Sequence, residues 1–157
     1  MILRLVHAGQ AARGPLGEAA DDYRKRLSRH IKADEIFVKP ARGSDQPHAV
    51  AKALEQEAER LLSRVEPNDR LVALVIGEGG SSMALSKRLQ TWMNRGERRV
   101  IFALGSAHGL HKSVLDRANE RWSFGPATLP HDLARTVLWE QLYRAGTILR
   151  SEPYHKE

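Results

Sequence analysis

The residues best suited to chemistry gather at the carboxyl end of this 157-residue chain. Pro153-Tyr154-His155-Lys156-Glu157 closes it, after Leu129-Pro130-His131-Asp132-Leu133-Ala134-Arg135 and Glu140-Gln141-Leu142-Tyr143-Arg144-Ala145. An aromatic ring, an imidazole and a cation in succession can stack on a base, move a proton and meet a phosphate. Chain ends are ordinarily the least ordered part of a domain. This one holds an amphipathic helix and a functional triplet, which predicts a tail folded back into a site. Glu140 and Arg144 stand at the spacing of a helical ion pair, and His131 beside Pro130 reads first as a cap or packed residue.

Two glycine-bearing turns accompany the tail. Gly77-Glu78-Gly79-Gly80 lies between an apolar run and a helix, without the spacing of a dinucleotide fingerprint or the Lys-Ser/Thr of a P-loop. It reads as a tight turn. In Leu104-Gly105-Ser106-Ala107-His108-Gly109-Leu110, glycine would let a ligand approach the backbone closely. A third glycine-bearing segment spans 125–128.

The elements that position these residues alternate in type. Ile2-Leu3-Arg4-Leu5-Val6 predicts a strand, residues 9–17 a loop, and Glu18 to His30 a helix with Tyr23 and Leu27 one turn apart. Ile36-Phe37-Val38 predicts a short strand. Arg42-Gly43-Ser44-Asp45-Gln46-Pro47 then predicts a capping loop before a helix burying Val50, Leu54, Ala58, Leu61 and Val65. The unbroken run Leu71 to Ile76 suits a central strand buried on both faces. A helix capped by Ser81 or Ser82 and stopped by Gly96 follows. A strand at Val100 to Leu104, a helix with Val114, Leu115 and Ala118, a strand at Trp122-Ser123-Phe124 and a helix from Pro130 to Ala145 complete the chain. Such alternation indicates one α/β domain over 1–157, a mainly parallel sheet of about five strands flanked by helices. Open sheets of this kind bind ligands beyond the carboxyl ends of their strands, where all three glycine-bearing segments fall.

Composition narrows the partners. The formal net charge is +6, with Arg24, Lys25, Arg26, Arg29 and Lys32 in one segment and Arg95, Arg98 and Arg99 around a turn, which favours nucleic acid. Without cysteine there is neither a disulfide framework nor a thiolate metal site, and no cluster has metal-ligand spacing. Met1 to His7 lacks the apolar length of a signal peptide, and no stretch approaches the roughly 20 apolar residues of a membrane span. The expectation is a cytoplasmic protein with no membrane or metal partner.

The order strand, Leu-Gly-Ser-Ala-His-Gly-Leu, helix, Trp-Ser-Phe, Leu-Pro-His-Asp-Leu-Ala-Arg, Glu-Gln-Leu-Tyr-Arg-Ala, Pro-Tyr-His resembles the RlmH family. These are SPOUT-class methyltransferases acting on N3 of a pseudouridine in 23S ribosomal RNA. The resemblance runs the whole length and is densest from Val100 to His155. It implies a C-terminal trefoil knot, a homodimer and S-adenosylmethionine held by the knot loops. Carried onto this chain, the cofactor residues are Leu74, Gly105, Ser106, Phe124, Gly125, Pro126, Ala127, Thr128 and Leu129. His155 is then the candidate base, Arg144 the cation facing the target and Tyr154 its stacking partner, with the tail acting on the partner subunit's cofactor. The chain departs from the family pattern at 74–80, where an aspartate and a lysine are missing, at Ser106 in place of glycine and at Lys156 in place of arginine.

Leu138, Trp139 and Leu142 are the expected dimer contacts, because that helix carries more large apolar groups than one core stripe requires. Two readings of other kinds compete with the enzyme. A non-catalytic RNA-binding module would lack S-adenosylmethionine affinity, and a small-molecule enzyme using the glycine loops for a nucleotide would ignore ribosomal RNA.

Overall fold

A computed structural model describes residues 1–41 and 46–156. Most of the expected capping loop, 42–45, lies outside them. The elements are β1 (Ile2–Ala8), α1 (Pro15–Ser28), β2 (Lys32–Val38), α2 (Pro47–Leu62), β3 (Arg70–Leu74), α3 (Ser82–Asn94), β4 (Arg99–Leu104), α4 (Lys112–Arg117), β5 (Glu120–Trp122) and α5 (His131–Leu149). The five strands form one sheet in the order β2-β1-β4-β3-β5, and every pairing is parallel.

Both faces of the sheet are covered, and the period-two alternation of each strand decides which residue faces which layer. Leu3, Leu5, Val72, Val100 and Phe102 pack with Trp92, Leu138, Trp139 and Leu142 beneath α1, α3 and α5. Val6, Ala8, Leu71, Ile101 and Ala103 pack with Ala58, Leu61 and Val114 from α2 and α4. Of the expected α2 stripe, Ala58 and Leu61 are fully buried while Val50, Leu54 and Val65 are half-buried. Ser81 caps α3 by accepting from the Ala84 N–H at 3.1 Å. Gly96 ends that helix at φ 68°.

The strand ends differ from expectation for local reasons. β3 stops at Leu74: Val75 makes the last bond to β5, at the Trp122 carbonyl, and Gly77 then donates to the Gly125 carbonyl as the chain leaves the sheet. Ile76, expected inside, is 61% exposed. β5 ends at Trp122, two residues early, because the Ser123 hydroxyl accepts from Gly125 N–H and contacts its carbonyl. β2 begins at Lys32, four residues early. Its polar start is satisfied across the sheet by the Arg4–Asp34 pair, whose Nε–Oδ1 separation is 2.6 Å. α1 starts earlier than expected, with Pro15 in its first turn. α5 continues through Gly146, which is buried close to Leu27 of α1.

α5 also corrects the expected dimer contacts. Leu138, Trp139 and Leu142 have no exposed surface. The helix packs against α1 and α3 together, so its surplus of apolar side chains is consumed within the subunit.

One buried ion cluster fixes that helix. Arg135 is 2% exposed; its Nε and Nη2 donate to the two oxygens of Glu35 on β2 at 2.8 Å each, and Nη2 reaches Asp21 of α1 at 2.9 Å. The Trp139 indole donates to the same Glu35 carboxylate. Removing one member of a buried ion pair strands its partner at about 3–5 kcal/mol. Arg135→Ala should therefore lower the melting temperature by about 10 °C or more; scanning calorimetry showing a shift under about 2 °C would refute this account.

Candidate functional site

Where β3 and β4 end, the chain encloses a cavity of about 570 Å³. Its walls are Leu74 to Ile76 after β3, Leu104 to Leu110 after β4 except His108, and the segment from Phe124 leading into α5, with His131 and Ala134 at the start of that helix. This is where open parallel sheets place their ligands, and the size suits a cofactor. None of the lining residues is Lys, Arg, Asp or Glu.

Leu74, Gly105, Ser106, Phe124, Gly125, Ala127, Thr128 and Leu129, all expected at a cofactor site, line this cavity. Pro126 does not. The chain reverses at Gly125, where φ is 121°, and Pro126 is exposed. Ile76, His131 and Ala134 belong to the wall without having been expected there; Ile76 reads from sequence as interior strand and His131 as a cap.

Packing explains why the loops need glycine. A Cβ on Gly105 would lie 2.3 Å from the Gly109 carbonyl oxygen, so the close approach is to the loop's own backbone. The loop closes through a Ser106–Gly109 bridge, with Gly109 N–H donating to the Ser106 carbonyl at 2.9 Å. A Cβ on Gly80 would meet the Trp122 ring at 2.2 Å. The 77–80 turn is thus glycine-rich because strand, helix and indole converge on it.

The tail docks beside this cavity. A second hollow, of about 490 Å³, is lined by Gly80 to Met83, Phe124, Val137, Gln141 and His155. Phe124 is common to both, so the hollow that His155 borders adjoins the first cavity. Tyr154 packs edge-on against Tyr143 at 4.9 Å, and its hydroxyl donates to Glu140 Oε1 at 3.1 Å while lying 3.4 Å from that of Tyr23. Burial, with the contacts to Tyr23 and Glu140, pushes this phenol well above its ordinary range. Arg144 donates from Nε to Glu140 Oε1 at 2.9 Å and lies 4.8 Å over the Tyr154 ring. The pairing with Glu140 raises the pKa of Arg144 further. Arg144 Nη1 is 3.5 Å from His155 Nδ1, whereas Nε2 is buried without a hydrogen-bond partner among the described residues. The structure thus brings the three tail residues together, with Tyr154 serving as an anchor as well.

An open parallel sheet with an uncharged cavity at its carboxyl edge and a cationic, aromatic tail beside it is the form of an α/β protein that binds a small ligand. The whole-chain comparisons identify which kind. The family described as "Predicted SPOUT methyltransferase" matches residues 1–155, and the chain belongs to it. A ribosomal RNA large subunit methyltransferase H from Anaeromyxobacter sp. (strain Fw109-5) is 44% identical, covering 99% of this chain and 100% of the relative. Its namesake from Gemmatimonas aurantiaca is 42% identical over the same shares. A probable methylase family protein from Haemophilus influenzae shares the fold with a TM-score of 0.56 at 13% identity, covering 99% of this chain and 70% of that one. Among the described residues no helix is long and apolar enough to cross a membrane.

Behind the cavity lies a residue that sequence reading passed over. His7 has no exposed surface and packs against the rings of His131 at 5.3 Å and Phe37 at 5.4 Å. Neither of its nitrogens has a hydrogen-bond partner among the described residues. Burial, reinforced by His131, pushes its pKa down to about 4. Between that value and the ordinary 6.5, the unfolded chain binds the proton and the folded one resists it. Stability is therefore complete above pH 6.5 and falls as the pH drops toward 4. The His7 contribution lost between pH 7 and 4.5 should be about 2 kcal/mol. Urea titrations should show that loss reduced by the same amount in His7→Leu; equal losses in both proteins would exclude His7 as the cause.

Proposed function

We propose that this chain is an S-adenosylmethionine-dependent enzyme that methylates N3 of a pseudouridine in 23S ribosomal RNA of the large subunit. The observation that carries the reading is the uncharged cavity with the cationic tail cluster across Phe124 from it, in a chain whose full-length relatives bear the name given above. A sulfonium is itself a cation, so a wall without Lys or Arg accepts it without repulsion. Apolar loops with accessible backbone groups suit an adenine. We assign the cofactor to Leu74, Gly105, Ser106, Phe124, Gly125, Ala127, Thr128 and Leu129. Ribosomal RNA would meet the basic face of α1, where Lys25, Arg26 and Arg29 are exposed. Arg26 lies over the Tyr23 and Tyr143 rings that touch the tail cluster, so that face adjoins the proposed site.

N3 of a pseudouridine is an imide nitrogen and holds its proton at neutral pH. Bound in the cavity, S-adenosylmethionine supplies an electrophilic methyl whose sulfur departs with the bonding pair as a neutral thioether. The remaining work falls to the chain. Alignment of the two reactants contributes much of the rate. Arg144 directed at Nδ1 leaves the hydrogen of a neutral His155 on Nε2. When Arg144 turns instead to a carbonyl of the target base, Nδ1 becomes free to take the N3 proton. The guanidinium then faces the charge that develops on the imide. One rotation would thus prepare the base and the anion site together, with the Tyr154 ring orienting the nucleobase.

The test is transfer of labelled methyl from S-adenosylmethionine to ribosomes of a strain lacking this gene. Label should appear on one pseudouridine, and His155→Ala should reduce turnover by about 100-fold or more at unchanged melting temperature. Deleting 153–157 should abolish transfer and lower the melting temperature, because the Tyr154 contacts go with it. Cofactor affinity absent from the parental protein would point to a bare RNA-binding module. A parental rate in His155→Ala would remove it from the chemistry.

The proposal includes the knotted threading and a cytoplasmic homodimer; the tail, expected from sequence to serve the partner subunit's cofactor, lies here beside the cavity of its own chain. With Leu138, Trp139 and Leu142 inside the fold, Ile76 and Met83, which line the two hollows, are among the exposed large apolar groups available to meet a partner, with Leu16 and Met93. Sedimentation at micromolar concentration should show a dimer; monomer alone would exclude it.

A further inference from the structure

A buried carboxylate on the far side of the sheet reaches the wall of the cofactor cavity. Glu57 on α2 is 2% exposed, on a helix whose other buried side chains are Ala58 and Leu61. Its Oε1 accepts from the Ser106 backbone N–H at 3.1 Å, and its Oε2 from the Ala41 N–H at 3.3 Å. Ser106 follows β4 and lines the cavity, while Ala41 follows β2. Since β1 separates those strands in the sheet, one side chain ties two loops together across a third strand.

We propose that Glu57 is a positioning residue that sets S-adenosylmethionine affinity by holding the 105–109 loop in its cofactor-ready form. This rests on the cofactor reading above. Gly105 lets the loop fold tightly on itself, and the Ser106–Gly109 bridge closes it, but both act within the loop. Of the contacts described, the Glu57 hydrogen bond is the one that joins the Ser106 backbone to another element. Hydrogen bonds to a carboxylate are the stronger kind, and a buried N–H left unpaired is costly enough to make the loop seek another conformation. The effect belongs to binding and not to methyl transfer, because Glu57 does not line the cavity.

Glu57→Gln keeps the shape but turns an NH₂ toward one of the two N–H donors, and Glu57→Ala removes both acceptors. Calorimetry with S-adenosylmethionine should show affinity about tenfold weaker in Glu57→Gln and weaker still in Glu57→Ala. KM for the cofactor should rise while kcat at saturation stays within about twofold. Hydrogen exchange at the Ser106 amide of the ligand-free protein should accelerate in both variants. Leu61→Ala, which loosens the same helix without touching the loop, should retain parental affinity and Ser106 exchange. Parental affinity in Glu57→Gln, or an equal loss in Leu61→Ala, would overturn the proposal. Unchanged Ser106 exchange in Glu57→Ala would overturn the tie itself. A parental protein that binds no S-adenosylmethionine would overturn the cofactor reading and the affinity role with it, while Ser106 exchange would still decide whether Glu57 holds the loop.

Discussion

The position of α5 is the constraint on which both halves of the site depend, and Arg135 holds it. Most of the segment between β5 and α5 forms one wall of the cavity, and everything after α5 is the tail. A shift or rotation of this helix would move both. Apolar packing alone is tolerant of such slips, because Leu138, Trp139 and Leu142 could fill similar volumes in a neighbouring register. A planar fork meeting a carboxylate with both nitrogens is not tolerant. Glu35 receives that fork and the Trp139 indole together, so two successive turns of α5 are referred to one point on β2. Burying these charges adds little net stability, and its consequence here is a single register.

The cavity arises where the strands release their chains at different points. β3 lets go at Leu74, β5 at Trp122 and β4 at Leu104. Ser123 turns the backbone with its own hydroxyl, Gly125 reverses it at φ 121°, and Trp122 presses on Gly80. The walls after β3 and β5 are therefore short loops bound to each other by backbone hydrogen bonds, while the loop after β4 bonds to itself. Such walls present amides and carbonyls to a ligand without charged side chains.

What the sequence revealed follows from what is local. The apolar run ending at Leu104, the Ser81 cap and the Gly96 stop rest on nearest neighbours, and all stand where periodicity and turn chemistry put them. Lys32 to Glu35 did not read as strand because Asp34 is satisfied by Arg4 and Glu35 by Arg135, partners far away in the chain. Val75 and Ile76 read as strand because nothing in an apolar run announces where its neighbour will stop pairing. The surplus of apolar residues on α5 was legible, but its destination was not; α1 and α3 grip the helix from two sides. Most of the residues expected at a cofactor site, which here line the cavity, came from the ordered motifs and the family they resemble. His7 and Glu57 escaped because an ordinary strand histidine and an ordinary helix glutamate acquire meaning only from the residues that surround them after folding.

Charge is distributed in a way that the proposed chemistry demands. A cation about 6 Å from a sulfonium, at an effective dielectric near 20, would repel it by about 3 kcal/mol, or about 100-fold in affinity. A methyltransferase acting on a polyanion needs many cations and must keep them out of the cofactor wall. Here the lining holds none, and the candidate cation, Arg144, lies outside it, beside His155 and Tyr154. Glu140 offsets its charge at 2.9 Å while leaving Nη1 turned to His155. That pairing holds the guanidinium in place beside Tyr154 before any RNA arrives. A target base entering the second hollow would meet His155, backed by an oriented cation whose charge is already offset by its own carboxylate.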